Sequence, residues 1–142
     1  MEEKNEKYLT LLNDLNEAHI LEGIKGFIIA LKEEKFELAV ASASKNAPLI
    51  LKKIGLYKYF DIIVDPSSVR GKPFPDIFQK GAELLELNIN ECVGIEDSSA
   101  GIDAINDAGI FSIGIGDKEI LGKADVVLKS TKLLSLDFIN GL

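Results

Sequence analysis

Two adjacent carboxylates follow a short apolar run in the second half of the chain, where the sequence reads VGIEDSSAG from residue 93 to residue 101. An apolar run of this length is typical of a buried strand, and ligands of open α/β sheets bind at the carboxyl ends of the strands. Glu96 and Asp97 therefore have two interpretations. They form half of an ion site, or Asp97 or Ser98 caps the helix that follows, where acidic charge is favoured.

Two further polar groups stand in comparable places. Ser42 follows the apolar run FELAVA, and Lys72 lies in the loop after the run DIIV. A hydroxyl, an ammonium and two carboxylates are the groups that a phosphate and a divalent cation such as Mg²⁺ require. Each also has a structural explanation: Ser42 satisfies local backbone, Ser44 caps the next helix, and Lys72 is an ordinary loop lysine. The order of the three positions along the chain favours the functional interpretation.

Alternating helical and strand patterns predict the elements that must position these groups. Apolar residues at helical spacing predict helices around residues 8–15, 24–31, 47–54, 75–86 and 101–108, and a last helix after residue 130. Short apolar runs predict strands at residues 36–41, 61–64, 92–95, 111–115 and 125–128. This alternation predicts an α/β fold, with right-handed βαβ units and a parallel sheet flanked by helices on both faces.

Composition limits the classes of function. The chain has 142 residues, 46% of them hydrophobic and 27% charged, which suffices for one globular domain with a sizeable core. The net charge of -7 argues against a nucleic-acid partner. Without a long apolar segment or an apolar leader, we expect a soluble, cytoplasmic protein with no membrane partner. Cys92 is expected to be a reduced core thiol, and His19 a surface residue.

Three segments together resemble the motifs of a known family. LAVASASKN, GKPFPDIF and GIEDSSAGIDAINDAG are similar, in this order, to the second, third and fourth motifs of the haloacid dehalogenase superfamily, and in particular to those of its β-phosphoglucomutase branch. The resemblance covers essentially the whole chain. It implies a Rossmann-like α/β core at residues 19–142, with a remnant of the family's helical cap at residues 1–18. It also implies phosphoryl transfer on a small-molecule sugar phosphate, with Mg²⁺ as cofactor.

The resemblance also implies roles for individual residues. Ser42 would bind the transferring phosphate, and Lys72 would bridge that phosphate and the nucleophile. Glu96 and Asp97 would hold Mg²⁺. The other positions implied to bind substrate or phosphate are Ala43, Ser44, Lys45 and Asn46 in the loop after the first predicted strand, and Lys4, which matches a lysine of the cap. Pro73 matches a position where the family has a cis peptide bond after the lysine.

One motif of the family does not occur in this sequence. Members begin with a strand that ends in Asp-x-Asp-Gly-Thr/Ser, which carries the phosphoryl nucleophile and the general acid and base. The resemblance implies that the full-length parent interconverts β-glucose 1-phosphate and glucose 6-phosphate through an aspartyl-phosphate. Because this sequence does not contain the motif with the nucleophile, this chain alone is expected to be inactive. The alternatives are a sugar-phosphate phosphatase and a catalytically silent module that retains a phosphate and Mg²⁺ site or mediates an interaction.

The missing strand also affects the expected assembly. In the family it lies in the middle of the sheet, between the strands that match residues 36–41 and 92–95. Its absence would leave backbone groups unpaired, and each buried unpaired group costs about 1–3 kcal/mol. We therefore expect either that the two flanking strands pair directly, or that a segment of a second copy fills the gap and forms a homodimer.

Overall fold

A computed structural model describes residues 24–142 of the chain as an α/β fold with parallel strands, as the sequence predicts. The helices are α1 (Ile24–Glu33), α2 (Ala47–Lys53), α3 (Asp76–Leu84), α4 (Ser99–Asp107), α5 (Lys118–Leu121) and α6 (Leu136–Asn140). The strands are β1 (Ala39–Val40), β2 (Ile62–Ile63), β3 (Val93–Glu96), β4 (Phe111–Ile115) and β5 (Val126–Leu128). Short 3-10 turns lie at Tyr57–Tyr59, Pro66–Ser68, Ile89–Glu91 and Thr131–Leu133. The helix predicted at residues 8–15, Lys4, His19 and the proposed cap remnant lie outside the described residues.

The longer predicted helices form because their apolar residues share one face. In α1, Ile24, Phe27, Ile28 and Leu31 are buried, at the spacing that places side chains on the same side of a helix. Helix α5 is absent from the sequence prediction. Asp117 has the residue type of a helix N-cap, which is a signal in the sequence. In the structure its side chain accepts a hydrogen bond from the backbone N–H of Glu119. No helix among residues 24–142 is long and apolar enough to cross a lipid bilayer.

The first strand is shorter than the predicted span 36–41. Ladder pairing joins Ala39 to Ile62 and Val40 to Ile63 in parallel register. One residue earlier, the N–H of Leu38 donates to the carboxylate of Asp61 at 2.8 Å. A side chain therefore takes the place of the next strand hydrogen bond, which explains why regular pairing begins only at residue 39.

Successive strand residues pack into two separate apolar cores, one on each side of the strands. Leu38 and Val40 belong to one core with α1, β3, β4 and α6, whereas Ala39 and Ala41 belong to the other with α3 and α4. This is the alternation expected for strands covered by helices on both faces. The layers are therefore helix, strand, helix, with β1 contributing to both cores.

The strands form two sheets rather than the one that was predicted. β1 pairs with β2, and the second sheet has the order β3-β4-β5. Among the described strands, β1 and β3 do not pair with each other, so the prediction that these flanking strands close up is wrong. Val40 of β1 and Val93 and Ile95 of β3 are buried in the same apolar core, so packing and not a shared ladder connects the two strands.

The other alternative, a segment of a second copy between β1 and β3, stays a prediction. We expect size-exclusion chromatography with light scattering to give about twice the 15.5 kDa mass of one chain. An added strand gains backbone hydrogen bonds along two strand edges, which favours association. A mass of one chain at every concentration tested would contradict the homodimer.

Candidate active site

A buried ion pair joins Lys72, in the loop after β2, to Glu96, at the end of β3. The Lys72 ammonium donates to Glu96 Oε2 at 2.6 Å and to the backbone carbonyl of Ala41 at 2.9 Å. The Lys72 side chain is 7% exposed and that of Glu96 is fully buried. Ala41 immediately precedes Ser42, so the ends of β1 and β3 and the loop after β2 meet at this ammonium. The predicted convergence at the carboxyl edge is present for these groups.

Burial dominates the electrostatics of this pair. The loss of hydration raises the pKa of Glu96 from 4.5 to about 7, although the charge and hydrogen bond of Lys72 lower it. The other carboxylate oxygen, Oε1, accepts from the backbone N–H of Asp97 at 3.0 Å. The ammonium also lies 5.1 Å from the ring centroid of Phe78, within the range of a cation–π contact. The pair is thus a preorganised charge centre shielded from water.

Local structure fixes the positions of Lys72 and Glu96. Ser98 caps α4, because its hydroxyl oxygen accepts from the N–H of Gly101 at 3.0 Å, so one of the two capping alternatives is confirmed. The peptide bond between Lys72 and Pro73 is cis, as the resemblance implies. The loop that carries Lys72 is closed by Arg70, which binds both carboxylate oxygens of Asp76 at 2.8 Å.

The loop after β1 is organised by its own serines. Ser42 is buried, and its hydroxyl oxygen accepts from the N–H of Ser44 at 3.1 Å, so it does satisfy local backbone. The Ser44 hydroxyl oxygen accepts from the N–H of Asn46 at 3.1 Å. The prediction that Ser44 caps α2 is wrong: the cap position is Asn46, which makes no capping hydrogen bond through its side chain. Ala43, like Asn46, is exposed.

A cavity of about 530 Å³ lies beside this loop. Ser44 and Lys45 line it together with Tyr57, Phe60 and Asp65. Ser42, Lys72, Glu96 and Asp97 are not among its lining residues. The structure therefore places the predicted phosphate-binding residues in two groups: Ser42 near the buried pair, and Ser44 and Lys45 on the neighbouring cavity.

The two carboxylates after β3 differ in their surroundings. Asp97 is exposed, whereas both oxygens of Glu96 accept hydrogen bonds from the protein. Within residues 24–142, no group of three or more His, Cys, Asp or Glu side chains forms a ready metal site. Mg²⁺ commonly binds one or two carboxylates and completes its shell with water and substrate phosphate, so this donor set fits Mg²⁺ with Asp97 as the accessible ligand.

Two other carboxylates near the sheet edge are already engaged. Asp61 binds the Lys32 ammonium at 2.7 Å as well as the N–H of Leu38. Asp65 accepts from the N–H and hydroxyl of Ser67, and these hydrogen bonds lower the pKa of Asp65. Both carboxylates are therefore held by contacts within the fold.

Some members of the site carry no chemical signal in the sequence. The Ala41 carbonyl is a backbone group, and nothing in an alanine marks it as a ligand of an ammonium. Phe78 falls in the helix predicted at residues 75–86, where nothing in the sequence marks it as a neighbour of Lys72. Cys92 is buried, with its sulfur 3.3 Å from the carbonyl oxygen of Asn88, which confirms the core thiol.

Comparisons with known proteins identify the family of the chain. The sequence profile of the haloacid dehalogenase-like hydrolases matches residues 1–115. The chain is 38% identical over 141 residues to a β-phosphoglucomutase of Bacillus subtilis, covering 99% of this chain and 62% of that protein. It is 30% identical over 124 residues to a validoxylamine A 7'-phosphate phosphatase of Streptomyces hygroscopicus, covering 83% of this chain and 58% of that protein.

A solved structure gives the same result for the fold. The crystal structure of a β-phosphoglucomutase from Clostridium difficile superposes with a TM-score of 0.85 at 41% identity, covering 89% of this chain and 57% of the other. The chain thus spans about three-fifths of the length of these relatives. With the profile match over most of its length, the chain belongs to the haloacid dehalogenase-like hydrolase family.

Proposed function

We propose that this chain forms the core of a sugar-phosphate mutase that interconverts β-glucose 1-phosphate and glucose 6-phosphate. The observation that carries the proposal is the buried contact between Lys72 and Glu96 at the carboxyl ends of the strands, in a chain 38% identical to a β-phosphoglucomutase. A phosphoryl group carries its negative charge on peripheral oxygens, and fixed positive charge in a water-poor site stabilises it.

The proposed roles follow from the chemistry of each group. The Ser42 hydroxyl can donate to a phosphate oxygen, and the Lys72 ammonium supplies positive charge beside it. Ser44 and Lys45 line the neighbouring cavity, where they would contact the phosphate at the other end of the sugar, with Ala43 and Asn46 in the same loop. The proposed role of Lys4 concerns a residue outside the described part of the chain.

Enzymes of this family generally use Mg²⁺. Asp97 and Glu96 are the residues of this chain that would hold the ion, and bound Mg²⁺ would supply a second positive charge to the phosphate. The exposed carboxylate of Asp97 is accessible to the ion and to its water ligands. The Glu96 carboxylate contributes negative charge that both Lys72 and a metal would balance.

A second candidate is a sugar-phosphate phosphatase. It is favoured by two relatives, the validoxylamine A 7'-phosphate phosphatase and a phosphorylated carbohydrates phosphatase of Thermotoga maritima, the latter 32% identical over 94 residues. The two reactions differ in whether a sugar hydroxyl or water accepts the phosphoryl group. A catalytically silent phosphate-binding or interaction module remains the alternative from a different class.

A fusion protein tests the proposed function. The segment that precedes the matched region in the Bacillus subtilis relative is joined to the start of this chain. We expect Mg²⁺-dependent formation of glucose 6-phosphate from β-glucose 1-phosphate, and a loss of about 10²-fold or more in kcat with Asp97→Asn. Asp103→Asn is the matched control, because Asp103 is a partly exposed carboxylate of α4 outside the Lys72–Glu96 contact.

Each result of this experiment favours one function. Release of inorganic phosphate in place of glucose 6-phosphate would favour the phosphatase. A folded fusion protein without turnover on sugar phosphates would contradict both enzymes and favour the silent module. Equal losses with Asp97→Asn and Asp103→Asn would contradict the role of Asp97 as the metal ligand.

A further inference from the structure

Gly101 lies in the first turn of α4, directly against the buried carboxylate of Glu96. A Cβ atom added at Gly101 would lie 1.9 Å from Glu96 Cγ, 2.2 Å from Cδ and 2.5 Å from Oε2. Ordinary contacts between carbon atoms are about 3.5–4.0 Å. Any side chain at position 101 would therefore require Glu96 or the helix to move by more than 1 Å, by the difference between these distances.

Glu96 cannot make that movement and keep its hydrogen bonds. Its Oε2 accepts from Lys72 at 2.6 Å and its Oε1 from the N–H of Asp97 at 3.0 Å. Hydrogen bonds to oxygen span only about 0.5 Å of useful distance. The nearest atoms to the added Cβ belong to the flexible Glu96 side chain rather than to backbone, so the carboxylate is the group that would be displaced.

We infer that Gly101 is a positioning residue for the buried pair: its missing side chain leaves the space in which the Glu96 carboxylate is held against the Lys72 ammonium. The backbone N–H of the same residue donates to the hydroxyl oxygen of Ser98, which caps α4, so the helix start and the space beside the carboxylate are fixed at one residue. In the sequence, Gly101 is assigned only to the start of the helix predicted around residues 101–108. Any consequence for phosphate or metal binding rests on the proposed function, whereas the geometry itself does not.

Gly94 on β3 provides a matched control. A Cβ added there would lie 2.8 Å from Ile105 Cδ1, so it would also crowd the contact between β3 and α4. The atoms nearest to it belong to Ile105 and not to Glu96. Gly94→Ala therefore reports the cost of crowding an apolar contact, and Gly101→Ala reports that of displacing the carboxylate. Gly26→Ala, with nothing within 4 Å of the added Cβ, reports helix propensity alone.

The test is a thermodynamic cycle with a background that lacks the pair. In Lys72→Met/Glu96→Ala the charges are removed together and the space next to residue 101 is emptied, which avoids leaving one buried charge alone. In the wild-type chain we expect Gly101→Ala to lower Tm by about 5–10 °C. In the double-variant background the same change should leave Tm unchanged or raise it, because alanine then fills space and favours helix. Gly94→Ala should cost the same in both backgrounds.

A second readout follows the pair directly. Lys72 is 7% exposed at its side chain, and its acylation by an amine reagent is measured by peptide mass spectrometry relative to the exposed Lys80. We expect Gly101→Ala to raise the relative labelling of Lys72 about tenfold, as for a lysine released from a buried pair, and Gly94→Ala to leave it unchanged. A folded Gly101→Ala protein in which Lys72 is labelled as in the wild type would overturn the inference.

The cycle also decides the case in which the single variant does not fold. Recovery of folding when Gly101→Ala is placed in the double-variant background would support the inference, since only the residue at position 96 relieves the clash. Equal loss of stability in both backgrounds would overturn it and assign Gly101 to the backbone of α4. Neither readout uses turnover, so a failure of the proposed enzyme function leaves this test unaffected.

Discussion

The 142-residue chain by itself is expected to convert no β-glucose 1-phosphate above the background rate. Phosphoryl transfer through a covalent intermediate needs a carboxylate nucleophile, and loss of such a group removes several orders of magnitude in rate. Within the described residues, three carboxylates near the sheet edge are engaged elsewhere: Glu96 with Lys72, Asp61 with Lys32, and Asp65 with Ser67. The fourth, Asp97, is the proposed ligand of Mg²⁺. The family's nucleophile motif, Asp-x-Asp-Gly-Thr/Ser, does not occur in the sequence, so we expect positioning and charge without an attacking group.

The measurement is glucose 6-phosphate formation in a coupled assay with Mg²⁺, using the purified chain. The fusion protein described above serves as the positive control for the same strands and loops. Mg²⁺-dependent activity of the chain alone that disappears with Asp97→Ala would contradict the prediction, because it would show that a group within these 142 residues supplies the nucleophile.

Removing the cation from the buried pair is expected to destabilise the fold in a pH-dependent way. Lys72→Met leaves Glu96 buried without its counter-charge, which costs about 3–5 kcal/mol when the carboxylate is ionised. The pKa of Glu96 is about 7 with Lys72 present and rises further without it. At about pH 5 the carboxyl group is then protonated in the folded state, and the cost should fall to about 1–2 kcal/mol.

The sign follows from the raised pKa. A carboxyl group whose folded-state pKa exceeds its unfolded value of 4.5 binds its proton more tightly when folded. Its protonation therefore stabilises the fold at low pH, and this contribution is lost as pH rises through the folded-state pKa. For Lys72→Met that loss is centred above pH 7, because the folded-state pKa is higher in the variant.

Urea denaturation in the presence of EDTA, at about pH 5 and about pH 8, measures both free energies of unfolding. Lys80→Met is the matched control, since Lys80 pairs with Glu83 on the exposed surface of α3 and should cost less than about 0.5 kcal/mol. Lys72→Met/Glu96→Gln should restore much of the stability at the higher pH. An equal cost of Lys72→Met at both pH values would show that Glu96 does not titrate with the fold.

The amino-acid sequence alone determined the class of fold and the edge on which the polar groups meet. Both depend on local periodicity: apolar residues recur at helical spacing in α1, and short apolar runs precede Ser42, Lys72 and Glu96. Periodicity acts over a few residues and is visible without a fold. The resemblance to a family of phosphoryl-transfer enzymes was likewise visible, because its motifs are short and lie in order, and the profile match confirms it.

The same local signals explain the predictions that the structure contradicts: the cap of α2, the length of β1 and the number of sheets. Ser44 has the residue type of a helix cap, but its hydroxyl oxygen accepts from Asn46 within the loop. The apolar run at residues 36–41 has strand composition, but Asp61 interrupts the ladder at Leu38. A single sheet follows from alternating strands and helices, yet β1 and β3 do not pair, because strand neighbours are decided by packing between distant segments.

Only the tertiary structure decided how the site works as a unit. Lys72 and Glu96 are 24 residues apart, and their 2.6 Å contact exists because the loop after β2 folds back over the ends of β1 and β3. Burial raises the pKa of Glu96. Burial depends on all the residues that surround the carboxylate, so no single residue of the sequence indicates it. The space that Gly101 leaves for that carboxylate is decided in the same way, since a glycine shows which atoms it accommodates only when strand and helix are packed together.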